Sequence, residues 1–334
     1  MDWTVRMGLM SPPVAERFFH QVLYADAACW CYPMVPGDAL SAVVDFYVWF
    51  FVYDDQQAGF LLERDSAGWQ VLCTALHAAI EVPREFTAHR DPVVRGLADV
   101  LVRLRRESSP RFIRRFASNM HSIVDGYLTE YDGIANDALP VSLDDYLTRV
   151  RRSTFGGPVW VDLLELGCEL PQEVFESGPF QRAAWATMDF AILFNDVYSV
   201  EKEIAAGAPS NACAVIMRTT GCDLQEAIDR TAGLVRACVD GYRSAEAELR
   251  QRTADADPTV RAAVGHAVAN MRGWFPAMCA YHEQTSRYAM QEWADPARPS
   301  YLEQLAPGGR EPVERHDPAP AETRPEPGAA QRGC

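Results

Sequence analysis

Two acidic clusters are the residues of this chain whose types and spacing could do chemistry. The first closes an aromatic run, Tyr47-Val48-Trp49-Phe50-Phe51-Val52-Tyr53-Asp54-Asp55-Gln56-Gln57. At helical spacing Tyr47, Phe50, Phe51 and Asp54 share one face, so an aromatic wall leads to a carboxylate. A carboxylate ending an apolar helix is costly unless it is paired, solvated or bound to metal. Two solvated acids at an emerging helix end are the plain alternative. The second cluster is Phe194-Asn195-Asp196-Val197-Tyr198-Ser199-Val200-Glu201-Lys202-Glu203, where Asn195, Ser199 and Glu203 recur every fourth residue and form one helical stripe. An amide carbonyl, a hydroxyl and a carboxylate are all hard oxygen donors, which suit magnesium better than zinc or copper. Polar residues four apart are also common on solvated faces, but this stripe follows the apolar run Met188-Asp189-Phe190-Ala191-Ile192-Leu193, whereas an exposed helix more often alternates polar and apolar faces.

Basic groups that could meet an anion lie elsewhere in the chain. Arg149, Arg151 and Arg152 fall in the segment Tyr146–Thr154, just before Gly156-Gly157, and Arg287-Tyr288 ends the last long periodic segment. Arginine offers a planar fork of donors to phosphate oxygens, and Lys202 offers a point charge. Taken singly, each is equally well read as a solvated surface cation.

The elements that must position these groups are helices. Apolar residues recur at three and four almost throughout, and alternating strand patterns are scarce, so the fold class is all-α. Helices are expected over about 12–28, 37–58, 66–80, 92–107, 109–132, 142–154, 157–167, 180–205, 209–219, 222–250 and 257–291, divided by breakers such as Pro36-Gly37, Pro83, Pro92, Pro140, Gly156-Gly157-Pro158 and Pro171. Residues 1–305 are expected to form one helical domain. From 306 to 334 the chain turns to Pro, Gly, Ala, Glu and Arg, a composition that cannot offset its ordering entropy and is expected to be disordered.

Of 334 residues, 48% are hydrophobic, enough for a sizeable core, and the formal net charge of -15 argues against a nucleic-acid partner. Nine cysteines without C-x-x-C pairs read as reduced thiols of a cytoplasmic protein. No apolar run reaches membrane-spanning length, and the start Met-Asp-Trp-Thr-Val-Arg does not read as a leader, so no integral membrane association is expected.

Taken together, these residues resemble bacterial class I terpene synthases, over essentially the whole chain up to the tail. That family carries an aspartate-rich DDxxD-type motif, which Asp54-Asp55 resembles, and an NDxxSxxxE motif, which Asn195, Ser199 and Glu203 match in full, with Lys202 at the basic position before the final Glu. It also carries an arginine that senses diphosphate and a C-terminal Arg-Tyr pair, here Arg287-Tyr288. Arg149, Arg151 and Arg152 compete for the sensor role, and the family's Arg-Arg-x-Thr pattern favours Arg151. The chain departs from the family at Ala58, which replaces the third acid of the first motif, and at Tyr281, where Trp is frequent. It is also expected to do without the upstream segment with which many members cover the active site.

The resemblance implies a helical bundle around a central cavity, in which a linear isoprenyl diphosphate is ionised and cyclised to a terpene hydrocarbon or alcohol. Farnesyl diphosphate is the favoured substrate and geranylgeranyl diphosphate the next. It implies three Mg2+ ions, with Mn2+ as a substitute, held by Asp54, Asp55, Asn195, Ser199 and Glu203, and a diphosphate bound by Arg151, Lys202, Arg287 and Tyr288. Phe50, Phe51, Phe155, Trp160, Met188 and Tyr281 are the candidates for a cation-stabilising wall, with ordinary core packing as the alternative for each. Phe155 matches the position where family members bring a backbone group near the reacting carbon. A homodimer is compatible with this reading. A chain-elongating prenyl transferase and a catalytically silent helical binding module are the rival functions.

Overall fold

The structure is a computed structural model that describes residues 1–205 and 210–288; the expected tail, 306–334, and the domain boundary at 305 lie outside the described residues. These residues form helices and connecting turns, with no strand among them. In chain order the helices are α1 (Asp2–Arg6), α2 (Pro12–Gln21), α3 (Tyr24–Cys31), α4 (Gly37–Glu63), α5 (Ser66–Glu81), α6 (Pro83–Phe86), α7 (Pro92–Glu107), α8 (Pro110–Ala135) and α9 (Leu143–Asp145). After a π-helical turn (Tyr146–Arg151) come α10 (Arg152–Thr154), α11 (Gly157–Leu163), α12 (Gln172–Phe175), α13 (Gly178–Ala205), α14 (Ala212–Thr220), α15 (Leu224–Arg252), α16 (Pro258–Gln284) and a 3-10 turn (Ser286–Tyr288).

Local chemistry sets these boundaries. Asp91, Ser109, Asp223 and Asp257 accept hydrogen bonds from the first free N–H groups of α7, α8, α15 and α16, and Pro92, Pro110 and Pro258 occupy first turns where no N–H donor is needed. The expected helix over 12–28 is broken at Leu23, which takes a left-handed conformation (φ 58°) and separates α2 from α3. The expected 257–291 helix stops at Gln284, and Arg287-Tyr288 stands on the 3-10 turn. α1, α6 and α12 are too short to show a period.

α13 packs along α15 and against α16, α3 lies between α4 and α16, and α4 packs on α7. The shared core is strongly aromatic: Trp49, Trp69, Trp274, Phe46, Phe112 and Phe116 are almost fully buried. Of the three indoles, Trp49 donates a 2.7 Å bond from Nε1 to the Val93 carbonyl. The eight described cysteines are free thiols; Cys31, Cys73 and Cys213 are buried as expected, Cys29 is exposed, and Cys334 lies outside the described residues.

One buried ion-pair network fastens α8 to the α11 segment that leads to the cavity. Arg115 donates to Asp162 (2.5 Å) and to Glu165, Asn119 adds a bond to Asp162 (2.8 Å), and the Arg115 guanidinium lies 3.7 Å from the Phe175 ring centroid. Both acids have almost no exposed side chain, and burial holds the Asp162 carboxyl up at about 6 against the pull of Arg115. Removing the cation strands two buried acids, so Arg115→Met should cost about 3–5 kcal/mol in urea unfolding at pH 7. A cost below about 1 kcal/mol would show that the network does not hold this part of the fold.

Candidate active site

Both acidic clusters line one cavity of about 730 Å3 between α4, α8, α13, α16 and the 146–157 segment. Asp54 and Asp55 reach it from α4; Asn195, Ser199, Lys202 and Glu203 reach it from α13; Arg151, Arg287 and Tyr288 enter from the π-helical and 3-10 turns. Phe50, Phe51, Phe155, Trp160 and Tyr281 line it as well. Met188 does not. It lies two turns up the same face of α13 as Asn195, where the helix has passed into the core, and is fully buried there.

Arg287 joins the two sides. Its Nη2 lies 3.3 Å from Asp54 Oδ2 and 3.1 Å from Asp55 Oδ1, and its Nη1 bonds the Tyr24 hydroxyl. Tyr24 stacks on Phe51 at 3.9 Å and 6°, and the guanidinium stands 5.0 Å from the Phe51 centroid. The next residue, Tyr288, accepts a 2.7 Å bond from Asn195 Nδ2. Arg287 and Tyr288 therefore connect the α4 acids to the α13 stripe. Tyr127 donates to Asp54 Oδ1 (2.8 Å), so Asp54 has two partners before any ligand arrives.

The α13 side is held by residues from outside that helix. Asn211, the N-cap of α14, donates to the Asp196 carbonyl (2.8 Å) and to Glu203 Oε2 (2.9 Å) and lies 3.4 Å from Ser199 Oγ. Tyr146 donates to Asp196 Oδ2 (2.8 Å). Burial holds the Asp196 carboxyl up at about 6, with Glu203 acting in the same direction and Arg151 opposing. Burial likewise pulls the Lys202 ammonium down to about 8, aided by the positive charge of Arg287.

The three candidate arginines have different surroundings. Arg149 is exposed and paired with Asp145 on its own turn, and Arg152 forms a two-bond pair with Asp189 (2.9 and 2.7 Å). Only Arg151 faces the cavity, donating to Asn195 Oδ1 (2.9 Å) and lying 3.4 Å from Asp196 Oδ1. The π-helical turn accounts for this direction: its capping bond runs from the Arg152 N–H to the Leu147 carbonyl, which widens the turn that carries Arg151. Gly126 on α8 permits the close approach, since a Cβ there would lie 2.4 Å from Ser153 Oγ.

Beyond that turn, Gly156 has φ +79°, and a Cβ would lie 2.8 Å from Phe50 and 2.9 Å from Trp160 Nε1. The Trp160 indole N–H donates to the Phe155 carbonyl at 2.6 Å. That bond fixes the backbone of Phe155, a residue of the cavity lining, and Trp160 packs at 5.1 Å from both Phe50 and Tyr47.

Several lining residues carry no sequence signal of their own. Glu130 is buried, and burial pushes its carboxyl up to about 7, with Asp54 adding to the effect and Arg151, Ser210 and Gln57 opposing it. His282 stacks on Tyr288 (5.1 Å, 8°), and burial pulls its imidazole down to about 4. Tyr24, Tyr127 and Tyr146 read as core aromatics until the fold places them beside a carboxylate or a guanidinium.

The oxygens of Asp54, Asp55 and Asn195 that face the cavity accept from guanidinium groups, so the space before them already suits positive charge. Ser199 and Glu203 add further hard oxygen donors to the lining, a chemistry that suits a hard divalent cation. The family described as terpene synthase family 2, C-terminal metal binding, matches residues 45–241, which span both clusters. The chain belongs to the terpene synthase family.

It is a lyase that acts on an isoprenyl diphosphate and depends on a divalent metal. Epi-isozizaene synthase of Streptomyces coelicolor is 32% identical over 92% of this chain and 86% of its own length. Pentalenene synthase of Streptomyces arenae is 31% identical over 75% and 74%. The solved germacradien-4-ol synthase of Streptomyces citricolor has the same fold, with a TM-score of 0.72 at 23% identity over 85% of this chain and 91% of its own. No described helix of this terpene synthase is long and apolar enough to cross a membrane.

Two measurements test this geometry. Arg151→Ala should lower turnover roughly 100- to 1000-fold while Arg149→Ala changes it less than about threefold, because only the first faces the cavity; equal losses would contradict the assignment. Glu130 has its folded-state pKa raised from 4.5 to about 7. Its charged form therefore destabilises the fold progressively as pH rises between those values, by on the order of 3 kcal/mol above them. Glu130→Gln should gain stability relative to the unaltered protein at pH 8 but not at pH 4, and the same difference at both pH values would contradict this.

Proposed function

We propose that this terpene synthase ionises farnesyl diphosphate with three Mg2+ ions, Mn2+ serving as a substitute, and closes the cation to a cyclic sesquiterpene hydrocarbon or alcohol. The observation that carries the reading is the cavity's polarity: its lining divides by chemistry into carboxylates with three cationic side chains, and the rings of Phe50, Trp160, Phe155 and Tyr281. An amphiphile with an anionic head and a hydrocarbon tail fits that division. The names of the similar proteins, epi-isozizaene synthase and pentalenene synthase, accord with it. The reading places the enzyme in the cytoplasm, where its thiols stay reduced.

In this mechanism Asp54, Asp55, Asn195, Ser199 and Glu203 would hold the metal ions. When bound, magnesium acts as a Lewis acid that neutralises charge accumulating on the departing diphosphate. Arg151, Arg287, Lys202 and the Tyr288 hydroxyl donate to the diphosphate oxygens. These contacts strengthen as the carbon–oxygen bond breaks and charge moves onto the leaving group, so they lower the barrier rather than merely tighten binding. The allylic cation then faces the rings of Phe50, Phe51 and Trp160 and the carbonyl dipole of Phe155. Each favourable ring contact is worth about 0.5–2 kcal/mol. Water must be kept out until the last ring closes, because it would capture the cation.

Incubation of the purified protein with Mg2+ and geranyl, farnesyl or geranylgeranyl diphosphate, read by gas chromatography, tests the proposal. The expected result is a cyclic fifteen-carbon product from farnesyl diphosphate without added isopentenyl diphosphate. Asp54→Ala and Asn195→Ala should each remove more than about 99% of turnover, a loss of roughly 3 kcal/mol or more in transition-state binding, with helical circular dichroism retained. A product lengthened by isopentenyl diphosphate would favour the prenyl transferase, and no product from any diphosphate would favour the silent binding module.

A further inference from the structure

The Asn195 side chain makes three contacts whose donor and acceptor roles are fixed by chemistry. Arg151 carries only donors, so the atom 2.9 Å from its Nη2 must be the amide oxygen. The amide nitrogen therefore points the other way, 2.7 Å from the Tyr288 hydroxyl and 3.2 Å from His282 Nε2. An amide nitrogen only donates, so His282 Nε2 must accept and the ring proton must sit on Nδ1. That nitrogen is 2.8 Å from the Met278 carbonyl, which only accepts. Every step is forced by the one before it, and both amide hydrogens are used.

We propose that His282 is a positioning residue: as the Nδ1–H tautomer it locks the Asn195 amide with its oxygen toward the cavity, where a divalent metal is bound, and with its nitrogen toward the α16 side. A flipped amide would present N–H groups to a cation and lose the ligand. The lock has two supports. Residues 282 and 278 are on one helix, so the Nδ1–H bond costs no extra ordering between elements. The near-parallel stack of His282 on Tyr288 holds the second acceptor beside the first. Since the Tyr288 oxygen accepts from Asn195, its own hydrogen can be given to an anion in the cavity.

This inference rests on the metal-binding reading above, and the test separates the two. Mn2+ affinity is measured by calorimetry in the presence of inorganic diphosphate, with thermal melting as the control for folding. His282→Leu removes the acceptor, and His282→Gln restores one, because the glutamine carbonyl falls near the place of Nε2. We expect His282→Leu to weaken Mn2+ binding roughly 10- to 100-fold, the range for partners that orient a metal ligand, and His282→Gln to stay within about threefold. A carboxylate has no wrong orientation, so the loss caused by His282→Leu should shrink below about threefold when it is made in an Asn195→Asp background. Unchanged affinity in His282→Leu, an equal loss in His282→Gln, or a full loss that persists with Asn195→Asp would each overturn the role of His282 and leave the metal site standing. No Mn2+ binding by the unaltered protein would overturn the metal reading itself.

Discussion

The structure depends on a balance between like charges brought together in a low-dielectric cavity and the two arginines that neutralise them. Asp54 and Asp55 on one side, and Asp196 and Glu203 on the other, would repel strongly if left alone. Arg287 answers the first pair and Arg151 the second group. Buried ion pairs seldom add net stability over a well-packed apolar core, so their presence here points to use rather than to strength.

Their distances differ from those of the Arg115 and Arg152 pairs. Arg115, which ties α8 to α11, meets Asp162 at 2.5 Å, and Arg152 forks onto Asp189 at 2.7 and 2.9 Å. Arg287 stands 3.1–3.5 Å from its carboxylate oxygens, and Arg151 3.4 Å from Asp196, long for charge-assisted bonds of about 2.7–2.9 Å. These guanidiniums are held near the acids without closing on them, Arg287 by the Tyr24 hydroxyl and Arg151 by Asn195 Oδ1.

Much of this was legible in the chain. The 3.6-residue period marks α7 at its observed ends and α4 from its first residue. The end of α4 was misplaced because Gln56-Gln57-Ala58 reads as a helix emerging into water. In the fold Gln57 is buried, with its amide donating to the Tyr127 carbonyl, and the helix runs on to Glu63. The stripe Asn195, Ser199 and Glu203 is legible because all its members lie on one helix. What holds the stripe is not: Tyr146, Asn211 and His282 come from other elements, and no local pattern links them to it. The π-helical turn that aims Arg151, and the left-handed Leu23 that lets Tyr24 reach Arg287, depend on tertiary packing. Met188 shows the converse, since shared helical phase does not say where a cavity ends.

The most direct test is a crystal structure of the protein grown with Mn2+ and inorganic diphosphate, using anomalous scattering to place the metal. The account predicts manganese bound by Asp54 and by Asn195, Ser199 and Glu203 around one diphosphate, with Arg151 and Arg287 turned from their carboxylates onto its oxygens. Diphosphate bound without metal at these residues, or both arginine pairs unchanged beside a bound ligand, would contradict it.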